Sequence, residues 1–460
     1  MHYRKNKIAG WGNFPRAESK LFSARNIPDV KEIVQQEEPL ISRGMGRSYG
    51  DQAINQGKSV LLTRKLCHLL DFDEASGLLS CEAGVSLADI IHTFVPRGWF
   101  PLINPGTKYV TIGGAIANDI HGKGHHTDGS FVNCVKDFDI MLADGSIVRA
   151  SREANQDLFW ASFGGLGLLG VILKARIWLR RISTSFFAKK VVKTENLADL
   201  LAAFEEYDQQ YAYSVAWLDS LAGGSKLGRG VFTAGRPAAV DELPPRFRQN
   251  PLQLASNLPL TLPFYLPSFA LNTYTVRVLN KVLENVQSRQ YPWVHYESFF
   301  FPLDAVRHWN RGYGKKGFIQ YQFVIPLENG QQNILSLLKM ISRSGHAPFL
   351  NVLKKFGRGM AESPLSFPME GYTFAIDFPV RSGLKKLSRT LDQQVCDMGG
   401  RIYLGKDALL EQDLFRQMYP RYTEWLEIKR KYDPENVFSS NLSRRLGLVY
   451  EQQKQGSLAE

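Results

Sequence analysis

The chain has 460 residues, 44% hydrophobic and 22% charged, which is the make-up of a folded protein of two or three domains and excludes disordered or fibrous classes. Its net charge of +12 is spread along the whole chain, with no RNP, zinc-finger or basic-helix pattern, so no nucleic-acid partner is expected. Attraction to an anionic membrane surface or a phosphorylated substrate is the better use of that charge.

The N-terminus, MHYRKNKIAGWGNFPRAESK, is basic but has no apolar h-region, so no signal peptide is expected. Short apolar strands separated by glycine turns follow: SVLLT (59–63), LLSCEAG (78–84), DFDIMLADGSIVRA (137–150) and LGVILKARIWL (169–179). The Asp144-Gly145 pair between alternating apolar positions predicts a hairpin. One helix is expected among these strands. Ser86 caps it, Asp89 completes a capping-box pattern, Leu87, Ile90, Ile91 and Phe94 form its apolar face, and Pro96 ends it.

Three glycine-rich loops lie in the same region. SRGMGRSYGDQA (42–53) spaces its glycines G-x-G-x-x-x-G and is followed by no strong helix, so a Rossmann nucleotide site fails. Its backbone N–H groups can converge on an anion, although such a loop can equally be a plain turn. NPGTKYVTIGGAIANDIHGKG (104–124) and FGGLGLLGVI (163–172) add two more loops. Together they suggest a long ligand held by backbone, with pyrophosphate at one point and flat rings elsewhere. Within DIHGKGHHTDGSF (119–131), adjacent His125 and His126 cannot easily face one ion. Lys123 adds a positive charge and no carboxylate cluster accompanies them, so no metal is expected.

After Arg181 longer helical stretches (197–207 and 333–344) alternate with aromatic strands, GFIQYQFVIP and YTFAIDFPV. Residues 228–270 hold seven prolines and are expected to form a helix-poor loop, poorly ordered and facing lipid. The apolar run 258–271 is broken by Pro259, Pro263 and Pro267, so no transmembrane helix is expected. The four cysteines, Cys67, Cys81, Cys134 and Cys396, are scattered, which fits a reducing compartment. A location in the cytoplasm, or peripheral at the inner membrane, is expected. The chain closes with a helical pattern over 413–434.

The ordered motifs GRSYGD, EAGVSL, NPGT, VTIGGAIA, IHGK, GSF, LADG, DLFWA and GLLGVI resemble the FAD-binding domain of the vanillyl-alcohol-oxidase (PCMH-type) superfamily. YSVAWLDS, WNRGYGKKGFIQYQFVIP, LNVLKKFG, PLSFP, RIYLGKD and YPRYTEWLEIKRKYDPENVFSSNLSRRL extend the resemblance end to end, to the flavin oxidases of polyprenylphosphoryl ribose. The resemblance implies an α+β, two-domain flavoprotein. Residues 1–183 would form the FAD-binding domain, 184–400 an antiparallel-sheet substrate domain, and 401–460 a C-terminal segment completing the FAD domain.

The implied cofactor loop is Arg43, Gly44, Met45, Gly46, Arg47, Ser48, Tyr49 and Gly50, with Gly106, Thr111, Ile112, Gly113 and Gly114 as the second stretch. Asn118, Asp119, Ile120, His121 and Ile172 would line the flavin, and Tyr403 would close over it. Arg47 stands where many members carry a tethering histidine, which implies noncovalent FAD. Oxidising a secondary alcohol takes a hydride from carbon while the hydroxyl proton leaves to a base. Lys406 is implied beside the flavin, as that base or as a stabiliser of developing negative charge, with His121 and Tyr49 as further catalytic candidates. The implied substrate pocket holds Lys123, Trp217, Gln320, Gln322 and Lys354, with Phe300, Phe301 and Leu303 as an apolar wall. The best-known members carry asparagine and cysteine where this chain has Thr373 and Ala375, so thiol-directed covalent inhibition has no target here.

The implied reaction is FAD-dependent oxidation of the C2 hydroxyl of a polyprenylphosphoryl-β-D-ribose to the 2-keto sugar. It is the first half of an epimerisation toward arabinose for cell-wall arabinan, with an NAD(P)H-dependent keto-reductase as partner. An oxidase of a free alditol or sugar lactone is the enzymatic alternative, and a noncatalytic flavin- or membrane-binding protein the alternative from another class.

Overall fold

Three large sheets and a two-stranded parallel pair, Leu260–Thr261 with Val306–Arg307, organise the chain in the computed structural model, which describes residues 2–255, 259–267 and 269–450. The first is a four-stranded mixed sheet in the order Arg4–Ala9, Arg16–Ser23, Ser59–Leu62, Leu40–Arg43. The helix Ile27–Gln36 supplies the crossover its parallel strands need, and packs Val30, Ile33 and Val34 against Phe22, Leu40 and Leu61. Asn26 caps that helix and Pro28 sits in its first turn, both start signals. The expectation of one helix in this region is therefore corrected: Ile112–Ala117 and Gln156–Ser162 are helical as well. Leu87–Phe94 forms as expected, with Ser86 and Asp89 bonding reciprocally in a capping box.

The second sheet is antiparallel and contains Leu69–Asp73, Leu78–Glu82, Val171–Arg181, Val135–Met141 and Ile147–Ser151 in that order, with Trp99–Pro101 also pairing on Val171–Arg181. Its last two strands are the expected hairpin. Gly145 takes the left-handed conformation (φ 79°) that the turn requires.

The third sheet has eight antiparallel strands: Trp293–His295, Phe186–Thr194, Gly230–Pro237, Tyr213–Leu218, Asn351–Phe356, Gly371–Pro379, Phe318–Ile325 and Arg401–Ile402. Period-two alternation splits its strands cleanly. Ala216, Leu353, Phe374, Ile376 and Phe323 face a core shared with the helices Leu197–Tyr207, Gly330–Arg343 and Leu384–Asp397. Each buried Leu, Ile or Phe contributes about 1.5–3 kcal/mol, so this face anchors the sheet. The other face carries Gln320, Gln322, Lys354, Thr373 and Asp377, and it frames the site.

The proline-rich stretch is not one loop. Gly230–Pro237 is an interior strand of the large sheet and Pro245–Arg248 a short helix, which corrects the expectation of a poorly ordered 228–270 segment. Residues 256–258 and 268 of that stretch lie outside the described residues. The C-terminal helical pattern is two helices, Gln412–Met418 and Tyr422–Tyr432, broken at Pro420, which lacks the N–H a continuous helix needs. They pack back on the N-terminal half, where Trp425 Nε1 donates to the Ala161 carbonyl (2.9 Å). Arg401–Ile402 instead joins the eight-stranded sheet, pairing with Phe318–Ile325. Among the described residues no helix is long and apolar enough to cross a membrane.

Candidate active site

Two glycine loops and a C-terminal turn meet at the edge of the large sheet. A side chain on Gly50 would collide with the Asp407 carbonyl, so glycine lets the 44–50 loop lie backbone to backbone against the 403–407 turn. Tyr49 N–H donates to the Gly405 carbonyl (3.4 Å), and Gln52 Nε2 donates to the Leu404 and Asp407 carbonyls. A side chain on Gly44 would likewise strike Thr111, which caps the helix Ile112–Ala117 by accepting from Gly114 N–H (3.3 Å). The first and second glycine loops are thus in contact. Tyr403 ties the turn to the far end of the second glycine loop, donating from its hydroxyl to the Asn118 carbonyl (2.9 Å) while its N–H donates to Gln322 O (2.8 Å).

The donor set fits the FAD that the sequence implies. Among the described residues, the N–H groups of Gly44 to Ser48 bond to no other backbone carbonyl, which is the arrangement an anion needs. Asn118 Oδ1 and His121 Nδ1 are buried without a partner, and a side chain on Gly106 would enter open space. Arg43 braces the loop from behind, donating to the carbonyls of Ala53 (3.0 Å) and Ala9 (2.6 Å). Arg47 lies over the Trp11 ring, 4.0 Å from its centroid. Asp119 also braces, accepting from Ser130 (2.8 Å), Ser366 (2.5 Å) and the Val132 N–H (3.1 Å). Ile120 and Ile172 are buried, and Ile172 lies beside Gly113.

On the sheet, strand register aligns Trp217, Val352, Ala375 and Gln322 in one row across four strands. Lys354 sits opposite Thr373 in the next row, and Gln320 opposite Asp377. Gln322 Nε2 lies 3.0 Å from His121 Nε2 and 3.2 Å from Thr373 Oγ1. His121 is caged by Phe356, Tyr403 and Phe367, with ring centroids at 4.8, 5.0 and 5.5 Å. Lys406 Nζ stands 3.8 Å from the centroid of the Tyr49 ring. Among the described residues no carboxylate lies within ion-pair distance of it.

Asp377 is the residue that sequence reasoning missed. It is fully buried, accepting from Gln320 Nε2 (2.6 Å) and the Tyr313 hydroxyl (3.0 Å). Period two from Thr373 and Ala375 reaches it, so the signal was present.

Burial governs the electrostatics. Desolvation lowers Lys406 to about 7; Asp377 pulls it back up and Lys354 pushes it down. Lys123 falls to about 7 and Lys354 to about 8 for the same reason. Asp377 rises to about 7, because burial outweighs the hydrogen bonds from Gln320 and Tyr313. Burial drives His121 well below its usual range, so its imidazole is neutral. Lysine and carboxyl groups poised near neutrality can exchange protons with a substrate hydroxyl.

Some named residues lie off this centre. Lys123 Nζ donates to the Phe299 carbonyl and faces its ring, beside a small cavity lined by Asn104, Gly122, Tyr213 and Phe300. Phe300 and Phe301 sit in an aromatic core with Phe187, Tyr213 and Phe299, so packing accounts for most of their surface. Leu303, in the turn that follows, is partly buried. Trp217 packs on Val191, Val231 and Leu283, with its indole N–H unpartnered among the described residues. His126 Nε2 lies 3.1 Å from the Tyr211 carbonyl, and the His125 ring packs tilted against Phe356, 4.2 Å between centroids. Among the described residues no cluster of His, Cys, Asp and Glu could hold a metal ion.

Comparison with known proteins adds two family matches and three relatives. The chain matches the FAD binding domain family over residues 20–151 and the D-arabinono-1,4-lactone oxidase family over residues 269–446. It is 38% identical over 452 residues to decaprenylphosphoryl-beta-D-ribose oxidase from Mycolicibacterium smegmatis, spanning 96% of this chain and 98% of that protein. It is 30% identical over 157 residues to L-gulonolactone oxidase from Mus musculus, spanning 33% of this chain and 35% of that protein. Cytokinin dehydrogenase 2 from Arabidopsis thaliana is 28% identical over 140 residues, spanning 30% of this chain and 28% of that one.

Proposed function

The chain belongs to the family of FAD-binding oxidases that includes the decaprenylphosphoryl-beta-D-ribose oxidase of Mycolicibacterium smegmatis, and from that premise we propose that it oxidises the C2 hydroxyl of a polyprenylphosphoryl-β-D-ribose to the 2-keto sugar. It is an FAD-dependent oxidoreductase. FAD, when bound, supplies the two-electron acceptor for the carbinol C–H bond. The observation that carries the reading is Lys406, a partly buried lysine without an ion-pair partner among the described residues, set where the glycine cradle meets the polar row of the sheet.

In this reading Lys406 either takes the hydroxyl proton when neutral or, when protonated, stabilises negative charge developing beside it. Gln322, held between His121 and Thr373, orients the sugar hydroxyl. Neutral His121 keeps that end of the pocket uncharged, and its aromatic cage excludes water. Lys354 on the polar face of the sheet, and Lys123 from the small cavity beside Phe299, are two partly buried lysines with no carboxylate in ion-pair contact among the described residues, which suits a substrate carrying a phosphate. A neutral alditol or lactone offers neither lysine an anion, and the likeness to the lactone oxidase of Mus musculus reaches only 33% of the chain. The 2-keto product then needs reduction on the same carbon by a separate NAD(P)H-dependent keto-reductase. A lipid tail on the substrate brings the enzyme to a membrane surface.

Anaerobic mixing while following flavin absorbance tests the reading. A prenylphosphoryl ribose in detergent should bleach the flavin, and soluble alditols and lactones should not. Bleaching by an alditol or lactone with none by the lipid-linked sugar would replace this reading with the alternative.

A further inference from the structure

The helix Thr273–Gln287 is built inside out. Its inward side carries Val276, Asn280, Leu283 and Glu284, and two of these are polar: Asn280 donates to Asp219 (2.7 Å) and Glu284 pairs with Lys193 (3.1 Å). Its outward side is the apolar one. Tyr274, Val278, Val282 and Val286, spaced four apart, are 80, 65, 52 and 50% exposed. A helix folded for water alone would place that stripe inward. Phe269 (76% exposed) lies just before the helix and Tyr291 (54%) just after it, so the bare apolar surface continues past both ends.

The charge on this surface has one sign. Between Pro259 and Trp293 the sequence contains a single acidic residue, Glu284, and that one is turned inward to Lys193. Arg277 and Lys281 are exposed along one edge of the stripe, and Arg289 follows the helix. Apolar side chains flanked by basic ones, with no exposed acid, match the boundary between acyl chains and anionic headgroups.

The same helix touches the active site from its other side. Val276, with Leu271 just ahead of the helix, packs in one cluster with Tyr49, Tyr313 and Phe318, and Leu283 packs on Trp217. The element with the bare apolar surface is therefore also the roof over the Lys406 region.

We propose that the 273–287 helix is the membrane-docking element, lying in the face of an anionic bilayer with Tyr274, Val278, Val282 and Val286 sunk into the acyl boundary and Arg277 and Lys281 on the headgroups. This rests on the lipid-linked substrate proposed above, and it names the surface from which that substrate enters.

The test is flotation of the FAD-loaded enzyme with vesicles of phosphatidylglycerol and phosphatidylcholine, or of phosphatidylcholine alone. Wild-type protein should float with the anionic vesicles and much less with the neutral ones. Val278→Asp with Val282→Asp should reduce flotation at least about tenfold, and Arg277→Glu with Lys281→Glu should remove its dependence on anionic lipid. Both variants should keep FAD and oxidise detergent-dispersed substrate at the wild-type rate. Flotation of the Asp variant equal to wild type, or no flotation of wild type, would overturn the proposal. So would a lipid-free dimer that the Asp variant splits while its flotation is unchanged, because the stripe would then be covered by a second copy of the chain. Flotation as expected, with no flavin bleaching by any prenylphosphoryl sugar, would retain the docking helix and remove the proposed substrate.

Discussion

Lys429 and Lys406 are both set inside the protein, in opposite circumstances. Lys429 has no exposed surface and spends all three of its protons, on Asp433 Oδ2 (2.6 Å), the Leu168 carbonyl (2.8 Å) and the Phe438 carbonyl (3.0 Å). Asp433 in turn accepts from the N–H groups of Val437 and Phe438. Every polar atom there is satisfied, and the result ties the C-terminal helices to the N-terminal half. Lys406 has the Tyr49 ring beneath it and no carboxylate in contact among the described residues, while Asp377, which could pair with it, is held by Gln320 and Tyr313. A satisfied charge holds a fold together, whereas an unsatisfied one is available to a ligand.

The contrast makes opposite predictions for one substitution. Lys406→Met should keep FAD bound and the melting temperature near wild type, because the methionine stem preserves the packing. Flavin reduction by substrate should fall about 10²- to 10⁴-fold in stopped-flow measurements, the usual worth of a positioned acid–base group. Reduction at near wild-type rate would return Lys406 to an ordinary interior lysine. Lys429→Met should do the reverse. Removing one partner of a buried pair leaves Asp433 uncompensated and should cost about 3–5 kcal/mol in denaturant unfolding, with the rate constant of the folded fraction unchanged.

Gly50→Ala should sharpen the comparison from the cradle side. The added methyl meets the Asp407 carbonyl, so the 44–50 loop and the 403–407 turn must part and Tyr49 must leave Lys406. A destabilisation of about 1–3 kcal/mol is expected, together with weaker FAD retention on gel filtration. Full retention at unchanged stability would show that the two loops need not touch.

Legibility followed sequence distance. The Ser86 capping box, the Asp144-Gly145 hairpin and the helix Leu197–Tyr207 are local patterns, and each appears where the sequence places it. The glycine loops stood out as candidate anion-binding backbone for the same reason. The Gln52 bonds to carbonyls at 404 and 407, and the Trp217–Val352–Ala375–Gln322 row, depend on strand neighbours far apart in the chain, which no periodicity encodes. The seven prolines of 228–270 misled in a physical way. All of them lie at or after Pro237, so nothing in Gly230–Arg236 prevents the strand that forms there. The 273–287 helix escaped notice because its apolar stripe points outward, and a stripe in the sequence does not say which way it faces.

Asp377→Asn carries the smallest effect and separates the two roles of Lys406. The amide oxygen of the new side chain would still accept from Tyr313 or Gln320, so the fold should hold. What changes is the field at Lys406, which desolvation lowers to about 7 against an opposing pull from Asp377. Without that carboxylate, Lys406 should release its proton at lower pH than in wild type. If Lys406 is the base, wild-type flavin reduction rises as pH increases through about 7, and the variant's rise should come earlier. If it is the protonated stabiliser, reduction falls through about 7, and the variant's fall should come earlier. The direction of the slope therefore assigns the role, and the displacement of the profile assigns Asp377 as the residue that positions the charge. Burial raises Asp377 itself to about 7, so its own titration overlaps the wild-type profile. The substitution should remove that second ionisation and leave a single simpler transition. A profile with unchanged midpoint and shape would mean that Asp377 only braces Tyr313 and Gln320, and that burial alone sets the lysine.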